Sequence, residues 1–79
     1  MFTARQLKER MEQKPFRPFH IKMSNGETYD VKNHDAAFVL SNAIEVGIEQ
    51  DLEGFVLLTR RCDLLHIASI EDIPTPQVA

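Results

Sequence analysis

Residues 18–32 read Pro-Phe-His-Ile-Lys-Met-Ser-Asn-Gly-Glu-Thr-Tyr-Asp-Val-Lys, and the way their apolar members pair decides the fold. Phe19, Ile21 and Met23 alternate with His20, Lys22 and Ser24, the period of a half-buried strand. Tyr29 and Val31 alternate with Thr28, Asp30 and Lys32 beyond the Asn25-Gly26 turn signal. A two-residue turn would set Ile21 opposite Asp30 and Phe19 opposite Lys32, so the two apolar sets would lie on opposite faces. A three-residue loop, Ser24-Asn25-Gly26 with Gly26 left-handed in a bulge, sets Ile21 opposite Tyr29 and Phe19 opposite Val31. The second register leaves one apolar face and brings His20 to Asp30 on the other, and it is the one we adopt.

Upstream of this hairpin the period is that of a helix. Thr3 and Gln6 stand at the two positions of a capping box, and Phe2 and Leu7 at those of a hydrophobic staple. Ala4, Leu7 and Met11 form a narrow apolar stripe on a helix of about eleven residues, too short to hold in water unless it docks on something else. Pro15 and Pro18 end it, because proline disfavours helical geometry in the residue before it. We expect the stripe to lie over an open end of the sheet that follows.

Downstream, the polar connection Asn33-His34-Asp35-Ala36-Ala37 leads to the apolar run Phe38-Val39-Leu40. Ile44, Val46 and Ile48 alternate with Glu45, Gly47 and Glu49 as a third strand, and after the acidic turn Gln50 to Gly54 the segment Phe55 to Arg61 reads as a fourth. Asp63 is placed to cap a helical turn through Leu64, Leu65 and His66, and Ile67 to Glu71 supplies a short fifth strand. The expected architecture is therefore mainly β with one N-terminal α-helix, its five antiparallel strands closing into a small barrel. Residues 1–73 form a single domain and residues 74–79, with two prolines, a loose tail.

Composition limits the functions open to such a chain. Its 79 residues, 43% hydrophobic and 27% charged, suit one folded domain with a modest core. No apolar run approaches the ~20 residues of a membrane helix. The charged segment Met1 to Lys14 lacks the apolar stretch of a secretory signal, so the expected compartment is cytoplasmic. Charge is divided unevenly, with a balance of +4 over residues 1–24 and −7 over residues 25–79. A basic end on an acidic body permits local anion binding and argues against a chain coated in nucleic acid.

Catalysis finds little support. His20 and Asp30 have the relation of a base and its orienting carboxylate, but on an exposed sheet face the pair is a favourable cross-strand contact worth under ~1 kcal/mol. Cys62 and His66 lack a third, orienting group, and Cys62 reads as a small core or edge hydrophobe. His20, His34 and His66 are too scattered for a metal pair, and Gly26, Gly47 and Gly54 are too isolated for a phosphate loop. No cofactor and no metal are expected. A hydrolase using His20 or His66 is the least supported reading, and the chain is read as a non-enzyme.

The segment Pro18 to Gly26 resembles the first hairpin of the bacterial Sm-like, Hfq-type family, in which a short helix leads through a proline into an alternating strand and an Asn-Gly turn. Asp35-Ala36-Ala37-Phe38-Val39-Leu40 resembles the Asp, aromatic and aliphatic pattern that follows there, and His66 to Pro74 its closing histidine-led strand. Together the three pieces cover about half of the chain. The resemblance implies an Sm-like barrel that assembles into a ring and binds RNA. Phe38 would stack on a base with His66 beside it, and Arg17 and Lys14 would stand on the outer phosphate path. The chain departs from the family at Val31, where a bending glycine is usual, at Leu65, where lysine stands, and at Ala37, where glutamine stands, and it carries an extra stretch between Ser41 and Gly54. The lead-in Pro15-Phe16-Arg17-Pro18-Phe19 is similar to that of short uncharacterised bacterial proteins, which implies a fold and no activity.

Three readings follow. The first is a non-catalytic small-barrel module for binding or assembly, self-associating through the strand edges at 55–61 and 67–71. The second is an RNA-binding Sm-like ring. The third is the hydrolase using His20 or His66; if RNA is not the ligand, a protein partner on the exposed face of His20, Lys22 and Asp30 is the better reading.

Overall fold

The Thr3–Gln6 capping box forms as the sequence requires: the Thr3 N–H donates to Gln6 Oε1 at 2.9 Å and the Gln6 N–H donates to Thr3 Oγ1 at 3.2 Å. The structure, a computed structural model, describes residues 2–74. Helix α1 runs over Ala4–Glu12 and is followed by strands β1 (Phe19–Met23), β2 (Thr28–Val31), β3 (Ala37–Val39), β4 (Ala43–Gln50), β5 (Val56–Asp63) and β6 (Ile67–Asp72). A single 3-10 turn, Leu64–His66, joins β5 to β6.

The first hairpin takes the three-residue loop. Phe19 pairs with Val31, His20 with Asp30 and Ile21 with Tyr29. The Met23 N–H donates to the Glu27 carbonyl at 2.8 Å, and the Gly26 N–H closes the turn on the Met23 carbonyl at 3.0 Å. Gly26 has φ +93°, a region in which a β carbon is strained, so glycine is required here. Asn25 Oδ1 accepts from the Glu27 N–H at 3.0 Å and holds the loop shut.

The expected five-stranded closed barrel is not what forms. The strands make two three-stranded antiparallel sheets, β2-β1-β6 and β3-β4-β5. The sixth strand is β3, built from Ala37 and the first two residues of the apolar run at 38–40 that the sequence reading left outside any strand. Closure needs a strand that bends through the corner from one sheet into the other, usually at a glycine or a bulge. Val31 ends β2 without either, and the chain breaks into the connection Lys32–Ala36 before β3 begins. The inner faces nevertheless meet in one core of Leu7, Phe19, Ile21, Val31, Ala36, Ile44, Val46, Cys62, Leu64 and Ile67.

The helix docks, though not over a barrel mouth. Leu7 is fully buried, and Phe2, Ala4 and Met11 pack against the core beside it. Arg10 ties the helix to the first sheet, because its guanidinium pairs with Asp72 of β6 and lies 5.0 Å from the ring centroid of Phe19 in β1. The 3-10 turn follows Asp63 as expected, but its side chain makes no cap and instead accepts from Arg61 Nε at 3.1 Å. Of the expected tail, only Pro74 falls within the described residues.

β4 bends at Gly47. The ladder to β5 shifts register between Gly47 and Glu49 and again before Gln50. A β carbon on Gly47 would stand 3.2 Å from the Ala36 carbonyl oxygen and 3.2–3.3 Å from the Val56 methyls, so the bend is available only to the smallest residue.

Two substitutions test this account by urea denaturation. Leu7→Ala empties a fully enclosed site and is expected to cost about 2 kcal/mol or more. Gly26→Val forces a branched side chain into a left-handed turn and is expected to cost at least about 1 kcal/mol. An unchanged midpoint for Leu7→Ala would mean that the helix is a free arm.

Candidate functional site

Beyond Gly47 the β4–β5 hairpin leaves the core. Every residue from Ile48 to Arg61 is exposed, and among them are Ile48, Leu52, Phe55, Val56, Leu57 and Leu58. Neighbours along a strand point to opposite faces. Val56 pairs with Gln50 and Leu58 with Glu49, with Leu57 the extra residue of a bulge between them, so Val56 and Leu58 lie on opposite faces and hydrocarbon is exposed on both sides, with Phe55 66% and Leu57 61% accessible. β5 is also the outer strand of its sheet, so its free backbone edge runs along the same hydrophobic segment. The arm tip repeats the turn of the first hairpin. The Asp51 N–H donates to the Phe55 carbonyl at 3.0 Å, and Gly54 has φ +90°. Asp51 Oδ1 accepts from the Glu53 and Phe55 N–H groups at 3.0 and 2.9 Å. An exposed apolar surface of this extent is uncommon on a small monomer.

A second feature is an open groove of about 710 Å³ between α1 and β3. Phe38, 57% exposed, stands on one wall near His34, and Arg5 and Lys8 stand on the other. Arg5 and Lys8 are three apart on the helix and share a face. Of the four residues expected to act on RNA, the groove holds Phe38 alone. His66 lines a separate cavity of about 340 Å³ with Tyr29, Glu27, Arg61 and Asp63. Lys14 and Arg17 are exposed on the connection between α1 and β1 and line neither space.

The outer face of the first sheet does gather His20, Lys22 and Asp30. His20 Nδ1 lies 2.6 Å from Asp30 Oδ1, and Glu71 is its neighbour on the other flank. Lys22 stands between Thr28 and Ser69. The face is polar and solvated throughout, in contrast to the arm.

No family model, curated protein or solved structure matches the chain.

The remaining chemistry is thin. Cys62 lies fully buried in the core, where desolvation, reinforced by Glu45 and Asp63, pushes its thiol up to about 11. That is the environment of an inert structural cysteine rather than of a nucleophile. Tyr29 is also raised, chiefly because its hydroxyl donates to the Glu27 carboxylate. Among the described residues no three His, Cys, Asp or Glu side chains are grouped so as to hold a metal ion, and no helix is long and apolar enough to cross a membrane.

The sequence reading named the strand at 55–61 as an edge but took its Phe, Val, Leu and Thr content only as a sign of strand. The signal it passed over was the unbroken apolar triplet Val56-Leu57-Leu58, since a half-buried edge alternates. Arg5 and Lys8 had entered only the charge balance, and their relation to Phe38 depends on where the helix docks.

The position of Cys62 has a consequence for pH. An acid whose pKa is raised on folding stabilises the native state below its unfolded value and withdraws that support as pH rises toward the folded value. Native stability is expected to fall as pH increases from about 9 to about 11, and thiol reagents at neutral pH are expected to label Cys62 only after unfolding. Rapid labelling of the folded chain would overturn the assignment.

Proposed function

We propose that this chain is a non-catalytic assembly module that self-associates through its exposed strand edges. The observation that carries this is the β4–β5 arm, in which an unpaired backbone edge and a two-faced apolar segment coincide. A monomer gains nothing from exposing both: the edge is open to strand addition and the side chains are left in water. A second strand laid along β5 satisfies the backbone groups and covers the hydrocarbon in one step. The resemblance to the Sm-like family favours the same reading, because proteins of that kind work as assemblies. β6, one of the two outer strands of the other sheet, is shorter and more polar, ending in Glu71 and Asp72.

One observation favours a second reading, in which single-stranded RNA binds the groove between α1 and β3. Phe38 is exposed there as a stacking surface, with the two helix cations across from it.

Sedimentation velocity over a range of concentrations tests the first reading. A defined oligomer is expected, and a monomer at every concentration would overturn it. Fluorescence anisotropy with U-rich and A-rich oligonucleotides tests the second. If RNA is the ligand, affinity falls steeply with salt, Phe38→Ala weakens it, and Lys8→Ala lowers the salt slope by about one. Absent or salt-insensitive binding would remove RNA.

A further inference from the structure

We propose that the groove between α1 and β3 takes an extended peptide that alternates acidic and apolar residues, added antiparallel to the open edge of β3. This surface is separate from the β4–β5 arm, so the inference stands or falls apart from the assembly reading. The edge selects a peptide. β3 is an outer strand, paired only with β4. The Gly47 N–H donates to the Ala36 carbonyl and the Leu40 N–H to the Ala43 carbonyl, both at 2.8 Å. Residues 36, 38 and 40 therefore turn their backbone groups to β4, and the alternation of an antiparallel ladder turns those of Ala37 and Val39 to the open side. Their N–H and C=O groups have no hydrogen-bond partner among the described residues, and both residues line the groove. A strand laid there satisfies these groups through its own backbone. Single-stranded RNA would use Phe38 and the helix cations but has no peptide ladder to offer this edge.

The side chains around the edge select the sequence of that peptide. Ala37 and Val39 stand opposite the fully buried Val46 and Ile44 and pack against the core, as do Ala4 and Met11 of the helix. Peptide residues paired with Ala37 and Val39 share this face, because directly opposed residues point the same way, and so lie toward the helix wall. That wall carries Arg5 and Lys8. Both are exposed, and neither lies within ion-pair distance of a carboxylate among the described residues. Glu12 lines the same wall four residues beyond Lys8, which leaves two cations against one carboxylate. Carboxylates at the two paired positions complement the remaining charge. The residue between them falls on the other face beside Phe38, whose ring is 57% exposed, and an apolar side chain there covers it.

Nuclear magnetic resonance titration of the isotope-labelled native chain with the end-capped peptide Glu-Val-Glu-Val-Glu tests the proposal. Saturable binding is expected to move the amide signals of Ala37, Phe38 and Val39 and to slow hydrogen exchange at Ala37 and Val39 by about tenfold or more. Methylating the glutamate amide nitrogens of the peptide removes donors that face β3 and is expected to weaken binding by about tenfold or more. A Lys-Val-Lys-Val-Lys peptide is expected to bind more weakly by a similar factor, as is Glu-Val-Glu-Val-Glu to the chain carrying Arg5→Ala and Lys8→Ala, two exposed positions whose truncation leaves the core intact. No signal change at any soluble peptide concentration would overturn the proposal. Shifts confined to residues 55–58 would overturn it too, because the peptide would then lie on the arm. Binding indifferent to amide methylation would rule out strand addition, and equal binding of the two peptides would rule out the acidic preference. A U-rich or A-rich oligonucleotide that moves the Phe38 signal at lower concentration than the peptide, and leaves exchange at Ala37 and Val39 unchanged, would assign the groove to RNA instead.

Discussion

The structure depends on the register of the first hairpin. With Phe19 opposite Val31 and Ile21 opposite Tyr29, one face of β1 and β2 is apolar and the other carries His20, Lys22 and Asp30. A slip of one residue would turn Tyr29 and Val31 away from Phe19 and Ile21 and leave no face on which a core could form. The slip is resisted locally by the left-handed Gly26 and the Asn25 side chain, and globally by the burial it would undo. Everything else in the core is assembled onto this face: Leu7 from the helix, Ile44 and Val46 from β4, Cys62 from β5 and Ile67 from β6.

The same three-residue turn occurs twice, with opposite outcomes. At Ser24-Asn25-Gly26 it joins two strands that both contribute to the core. At Leu52-Glu53-Gly54 it joins two strands that have left the core behind. The difference is set at Gly47, where β4 bends as it passes close to the Ala36 carbonyl, accepting no side chain there and donating its own N–H to that oxygen at 2.8 Å. Before this point β4 is buried, and after it both strands of the hairpin are exposed. The arm is thus a continuation of a core sheet past the limit of the core. Its hydrophobic residues retain the character of a buried strand in a place where this chain alone cannot bury them.

The basic character of the N-terminal third is put to three uses. Arg10 is structural, bridging the helix to Phe19 and Asp72. Arg5 and Lys8 face the groove beside Phe38. Lys14 and Arg17 remain solvated on the connection to β1. A uniform basic patch and a uniform solvated face are therefore both too simple, because the docking of one nine-residue helix assigns neighbouring cations to different surroundings.

By itself the sequence determined what depends on near neighbours. The helix start follows from Thr3 and Gln6, the first hairpin from the pairing of apolar residues across Gly26, and the contact of His20 with Asp30 from that register. Each is settled by interactions within a few residues or across one turn, where sterics and period leave few solutions. Tertiary structure alone decided whether the strands close, which cations share a groove with Phe38, and which hydrophobic strand is left uncovered. Closure failed because the Lys32–Ala36 connection takes the corner that a bent strand would have turned, and no local pattern reports the path of a chain around a core. A strand rich in valine and leucine reads the same whether a neighbour covers it or not. The exposure of Val56, Leu57 and Leu58 became visible only once every other element had taken its place and none had reached them.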